Sequence, residues 1–245
     1  MSDRAARSER GVLGRDGVGH GTFGKALYSC LWVLSRTLAV ALLGFRARFA
    51  EPLPKTGGLI VLSSHQTFLD PVLLGLATDR WLSSLARSSL YRFKPFAALI
   101  TALDAVPIDL EGSALKAMKA VIERLERGAA VVIFPEGART HDGQLGELKS
   151  GFALIAKKAA VPIVPVAIVG GFECWPRTRR LPRPGRIRLE FGEILTAEQV
   201  AALGDKEILE ICTRRIRDLD AKARAALGGH WADPPRRLGT VRAWS

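Results

Sequence analysis

The chain has 245 residues, 48% of them hydrophobic and 7% aromatic, with a formal net charge of +12 at pH 7 and a pI near 10.3. That length and apolar content suit one sizeable α/β domain, alone or with an appendage. The charge calls for a polyanionic partner, but no zinc-type cysteine pairing or nucleic-acid motif organises it, so an anionic membrane surface is favoured over nucleic acid. Cys30, Cys174 and Cys212 are few, odd in number and far apart; they fit a reducing cytosol and not a disulfide framework.

Residues 1–21 are rich in arginine, serine and glycine without periodicity and read as a mobile basic arm. Composition then turns apolar. Ala26 to Phe45 is long enough to cross a bilayer, but Arg36 lies within it, and a mid-bilayer arginine costs about 2.5–3.5 kcal/mol. Lys25, Ser29 and Arg36 fall at helical spacing as a narrow polar stripe, which predicts a helix, or broken helix pair, lying in the membrane interface. The alternative is a core helix of the soluble domain.

Gly58-Leu-Ile-Val-Leu62 reads as a buried strand, and Ser63-Ser-His-Gln-Thr-Phe-Leu-Asp70 as the polar loop at its exit. Asp70-Pro71 predicts a helix start, with Asp70 as N-cap and the helix running to about Thr78. On one continuous helix His65 and Asp70 would lie roughly 140° apart, so they meet only if the segment turns before it coils. A neutral imidazole can take the proton of an attacking alcohol, and a carboxylate can hold its other nitrogen. That chemistry suits acyl transfer to a substrate hydroxyl. The plainer alternative makes Asp70 only a cap and His65 a surface histidine.

Further on, Trp81–Ala86 is a short apolar run and Val106–Asp109 a short extended segment. Ser113–Arg127 is an amphipathic helix, with Leu115, Met118, Ile122 and Leu125 on one face and Gly128 as its stop. Ala129–Phe134 reads as a buried strand, followed by the turn Pro135-Glu-Gly-Ala-Arg-Thr140. A helix is expected over Glu147–Ala160 and a strand over Val161–Ile168, whose Pro165 argues for a sheet edge or a strand start. Ile187–Phe191 is another strand and Asp205–Leu227 a long charged helix. Strands alternating with helices imply an α/β fold with a mixed, largely parallel sheet flanked by helices. Both polar loops sit at strand exits, where open sheets place their ligands.

Taken together, these blocks resemble the membrane-associated glycerolipid acyltransferases, in particular the 1-acylglycerol-3-phosphate type. Ser64-His-Gln-Thr-Phe-Leu-Asp70 is similar to that family's His-four-residues-Asp block, Ala105-Val-Pro-Ile-Asp109 to its second, Phe134-Pro-Glu-Gly-Ala-Arg-Thr140 to its third and Val161-Pro-Ile-Val-Pro-Val166 to its fourth. The resemblance covers roughly residues 20–195. It implies His65 as general base and Asp70 as its partner, with Glu136, Gly137 and Arg139 binding the acceptor and Thr140 beside them. It also implies transfer of an acyl chain from acyl-CoA or acyl carrier protein to a lysophospholipid hydroxyl, with no metal or redox cofactor. A guanidinium at 139 suits bidentate phosphate binding.

Two positions depart from the family pattern: Ser64 stands for its usual asparagine and Leu110 for its usual arginine. Leucine donates no hydrogen bond, so phosphate recognition falls on Arg139, with Arg87 and Lys149 as further candidates, or the acceptor is a different lysolipid or an amino-acid lipid. A reading from another class is a non-catalytic membrane-binding protein of the same fold. Arg177-Thr-Arg-Arg180 is expected to be a solvated loop or to face anionic headgroups. The expected organisation is a basic arm at 1–21, a membrane-associating segment at 22–50, the acyltransferase domain at 51–228 with its motifs in 58–195, and a basic tail at 229–245. The expected location is the cytoplasmic face of the inner membrane.

Overall fold

The computed structural model describes residues 37, 39–87, 106–108, 114–179 and 181–228, without the side chains of 85–87, 106–108 and 114. The basic arm, most of the apolar 26–45 run, Leu110 and the basic tail lie outside the described residues. Among the described residues, seven strands form one sheet: β1 Arg46–Phe49, β2 Leu59–Ser63, β3 Leu82–Arg87, β4 Val106–Ile108, β5 Ala130–Ile133, β6 Ile163–Val169 and β7 Arg188–Phe191. Their order is β1-β7-β6-β2-β5-β3-β4, and only the β6–β7 pairing is antiparallel. The helices among the described residues include α1 Asp70–Ala77, α2 Ala114–Glu126, α3 Gly151–Ala159, α4 Gly171–Cys174, α5 Ala197–Ala202 and α6 Asp205–Leu227.

The central strands are apolar on both faces because both faces are covered. Ile60 and Leu62 of β2 and Val131 of β5 join one core with Val121 and Leu125 of α2, Phe152 and Ala156 of α3, and Ile208, Cys212 and Ile216 of α6. The alternate residues Leu59, Val61 and Val132 join a second core with Leu73, Leu74 and Leu76 of α1 and with Phe45 and Ile187. This places α1, which leaves the first polar loop, on the opposite face from α2, α3 and α6.

Several elements differ from the sequence expectation. Pro165 lies inside β6, flanked by β2 and β7, and not at a sheet edge or strand start. Its carbonyl accepts the Gly192 N–H at 2.8 Å just past the end of β7. There the partner strand runs from Phe191 opposite Val166 to Leu195 opposite Ile163, one residue longer than β6 over the same span. The missing proline N–H therefore faces a break in the ladder.

The helix expected from Glu147 begins at Gly151. The backbone N–H groups of Gly146 and Lys149 bond instead to Glu136 Oε2 and Pro135 O, which holds the segment against the second loop. Residues 46–49, grouped by composition with the membrane-associating stretch, form β1 at the sheet edge, where arginines at 46 and 48 suit an exposed edge. Helix α6 matches its predicted limits. Glu207 Oε2 accepts the Gly204 N–H at 2.7 Å at its start, and Gly228 adopts φ +82° at its end. No helix among the described residues is long and apolar enough to cross a membrane.

Candidate active site

Three adjacent parallel strands, β6, β2 and β5, end at the same edge of the sheet. Their exit segments, residues 64–69, residues 134–150 and Gly170 with the start of α4, meet there. Asp70 is the first residue of α1, and its carboxylate does not cap that helix. It turns back into the loop: Oδ2 accepts the backbone N–H of Gln66 at 2.5 Å and of Thr67 at 2.8 Å, and Oδ1 accepts the Thr67 hydroxyl at 3.1 Å. This wrapping closes the turn that brings His65 beside it. Asp70 is wholly buried, and those donors compensate its desolvation.

His65 Nδ1 donates to Asp70 Oδ2 at 2.8 Å. A carboxylate only accepts, so Nδ1 carries the ring proton and Nε2 keeps its lone pair. The imidazole stacks on Phe134 with ring centroids 3.9 Å apart and planes 16° from parallel. Its side chain is 19% exposed. One nitrogen is held and one ring face covered, so Nε2 is the atom left to take a proton.

The second loop fastens the first. Glu136 Oε1 accepts the His65 N–H and Oε2 the Gly146 N–H, each at 2.8 Å. Burial pushes the Glu136 carboxyl above the usual carboxylate range, against the opposing pull of those two N–H groups. Thr140 is 7% exposed; its N–H donates to His65 O at 2.8 Å, and its hydroxyl bonds Asp142 and the Gly143 N–H. Glu136 Oε1 and the Thr140 N–H thus hold the His65 backbone, while Glu136 Oε2 and the Thr140 hydroxyl bond within the second loop. Gly137 adopts φ +74°, and a Cβ there would come within 3.1 Å of Lys149 Nζ, so this glycine also admits the ammonium. Arg139 lies with its guanidinium carbon 3.4 Å from the centre of the Phe68 ring, a cation–π contact. Arg87 ends β3, and its side chain is outside the described residues.

The third loop closes the group. Gln66, 4% exposed, accepts the Phe172 N–H at 3.1 Å through Oε1 and donates through Nε2 to Gly143 O at 3.3 Å. A Cβ on Gly171 would approach Thr67 Cγ2 to 2.9 Å and Gln66 Cβ to 3.2 Å, so glycine lets the β6 exit lie flat on the histidine loop. Sequence reasoning assigned no role to Phe134, Gln66 or Thr67. The signal for Phe134 was its place at the end of the run read as a buried strand, directly before the second polar loop.

Known proteins resemble the chain in sequence and in fold. Residues 44–169, just over half of the chain, match the family model described as Acyltransferase. The 1-acyl-sn-glycerol-3-phosphate acyltransferase of Bacillus subtilis is 29% identical over 185 residues, 73% of this chain and 89% of that one. That of Pseudomonas aeruginosa is 32% identical over 174 residues, 69% and 66% of the two chains. The crystal structure of the 1-acyl-sn-glycerophosphate acyltransferase of Thermotoga maritima has the same fold, with a TM-score of 0.67 at 22% identity over 83% of this chain and 91% of that one. The chain belongs to the acyltransferase family.

Proposed function

We propose that this acyltransferase moves a fatty acyl chain from acyl-CoA or acyl carrier protein to the free hydroxyl of 1-acylglycerol-3-phosphate, yielding phosphatidate. The observation that carries the reading is the His65 Nδ1–Asp70 Oδ2 bond of 2.8 Å, which leaves Nε2 as a base, with Arg139 on the same edge of the sheet. His65 Nε2 takes the hydroxyl proton as the substrate oxygen attacks the thioester carbonyl carbon. Asp70 steadies the imidazolium that forms. Collapse of the tetrahedral intermediate breaks the C–S bond, and the imidazolium returns its proton to the departing thiolate. The thioester is already activated, so this scheme calls for no metal or redox cofactor.

Arg139 binds the acceptor phosphate, with Lys149 and Arg87 as further cations on the approach. Similarity to proteins named for this acceptor supports the assignment. We place the enzyme at the cytoplasmic face of the inner membrane, peripheral or monotopic, held by the apolar stretch that precedes β1 and by basic residues worth about 1 kcal/mol each near an anionic surface. The test is acyl transfer by the purified enzyme across acyl-CoA and acyl-carrier-protein donors, with lysophosphatidate, phosphate-free lysolipids and lysolipids of other headgroup as acceptors. Preference for lysophosphatidate is expected. Preference for a phosphate-free acceptor would leave the acyl chemistry standing and overturn the acceptor.

A further inference from the structure

Beside the histidine, the chain brings together cationic groups from two loops. The 139–141 segment abuts the base directly, since the Thr140 N–H donates to His65 O at 2.8 Å. Arg177, in the loop after α4, reaches across to that segment: its Nη1 donates to Arg139 O at 3.4 Å and to His141 Nε2 at 2.9 Å. Arginine only donates, so His141 accepts through Nε2 with the ring proton on Nδ1. Nε and Nη2 of Arg177 have no partner among the described residues, and the side chain is exposed. Beneath these groups Phe68 lies under Arg139, and Trp175 sits 6.0 Å from Phe68, its planes tilted by 59°. The loop bearing Arg177 is itself fixed, by the Trp175 indole N–H on Arg179 O at 3.1 Å and the Arg179 N–H on Pro176 O at 3.0 Å. The nearest carboxylate on the facing turn, Asp142, is directed into that turn, accepting from Thr140 Oγ1 and the Gln144 N–H.

We infer that Arg177 is a specificity-determining residue that joins Arg139 in clamping a phosphate monoester at the mouth of the site. One guanidinium is stacked on Phe68 and the other is bonded to the Arg139 carbonyl and the His141 ring, so both side chains are held in place before a dianion arrives. Such pinning reduces the side-chain entropy lost when the anion binds. A phosphate monoester could come from the acceptor or from the coenzyme A of the donor. The inference assigns it to the acceptor and in that respect rests on the function proposed above.

The test measures wild type, Arg177→Ala, Arg177→Lys and Arg179→Ala with lysophosphatidate and with a phosphate-free monoacylglycerol, varying acceptor and acyl-CoA separately. Arg177→Ala should raise KM for lysophosphatidate about ten-fold or more, the range for hydrogen bonds to charged groups. Its kcat, its KM for acyl-CoA and its use of monoacylglycerol should be nearly unchanged. Arg177→Lys should recover part of the loss, and Arg179→Ala, which removes an equal charge from the same loop, should not alter KM. An unchanged KM in Arg177→Ala, a rise for acyl-CoA instead, or an equal loss on the phosphate-free acceptor overturns the clamp. Calorimetric binding of glycerol 3-phosphate to wild type and Arg177→Ala keeps this separate from turnover. Weaker binding to the variant supports the clamp even if wild type prefers another acceptor, and equal binding overturns it.

Discussion

The backbone N–H of His65 donates to Glu136 Oε1 across 2.8 Å, although 71 positions separate them in sequence. Through its other oxygen Glu136 holds the Gly146 N–H, so one half-buried carboxylate ties the loop that carries the base to the loop that carries Arg139. Glu136→Gln keeps the shape but presents an NH2 group to one of those donors. A part-buried N–H left without an acceptor costs about 1–3 kcal/mol. The variant should therefore melt several degrees lower, at about 2–4 °C per kcal/mol for a chain of this size, and lose kcat with little change in acceptor KM. A rise confined to acceptor KM at unchanged stability would instead mark Glu136 as an acceptor ligand.

The thiols provide a test of the two cores. Burial pushes Cys174 up to about 11 and Cys212 up to about 12, from an ordinary value of 9.0. A thiol whose pKa is higher in the folded than in the unfolded chain favours the unfolded state once that chain ionises. Stability should hold below pH 9 and decline as pH rises from there towards 11 and 12. In the native protein at pH 8 both residues should resist alkylation, and both should react fast in guanidinium. Mass spectrometry of alkylated peptides reads this directly; rapid native labelling of either would contradict the packing.

Attachment to membranes is tested by truncation, and the fold sets where to cut. Ala39 and Phe45 are buried in the core around α1, and residues 46–49 form a strand of the sheet. Removal of residues 1–36 spares both. That variant should move from the membrane pellet towards the supernatant while keeping its melting temperature and its activity on soluble short-chain substrates. If it stays fully bound and the full-length protein is released by salt alone, the apolar segment is not the anchor.

Much of the architecture was legible because local chemistry and global fold agree. The Leu59–Leu62 run is apolar on both faces because helices cover both faces of the sheet. Helix α6 carries its own punctuation at Glu207 and Gly228. The approach of His65 to Asp70 followed from the proline after the aspartate. What stayed hidden depends on distant partners. Pro165 is tolerated because β7 ends beside it, which no local pattern conveys. The start of α3 is delayed by Pro135 and Glu136, residues of another loop. Asp70 looked like a cap because caps and loop-closing carboxylates share a sequence signature. The pairing of Arg177 with Arg139 joins loops 38 residues apart, and β1, four residues with two arginines, carries too little pattern to separate it from the apolar stretch before it.

Catalysis turns on removal of the acceptor's proton by His65 Nε2. The most direct measurement is steady-state acyl transfer by purified wild type and His65→Ala, with circular dichroism and melting temperature recorded on the same preparations. Loss of the base should lower kcat by about 10²–10⁴-fold while leaving fold, melting temperature and substrate binding close to wild type. Near-normal turnover by a folded His65→Ala protein would contradict the mechanism.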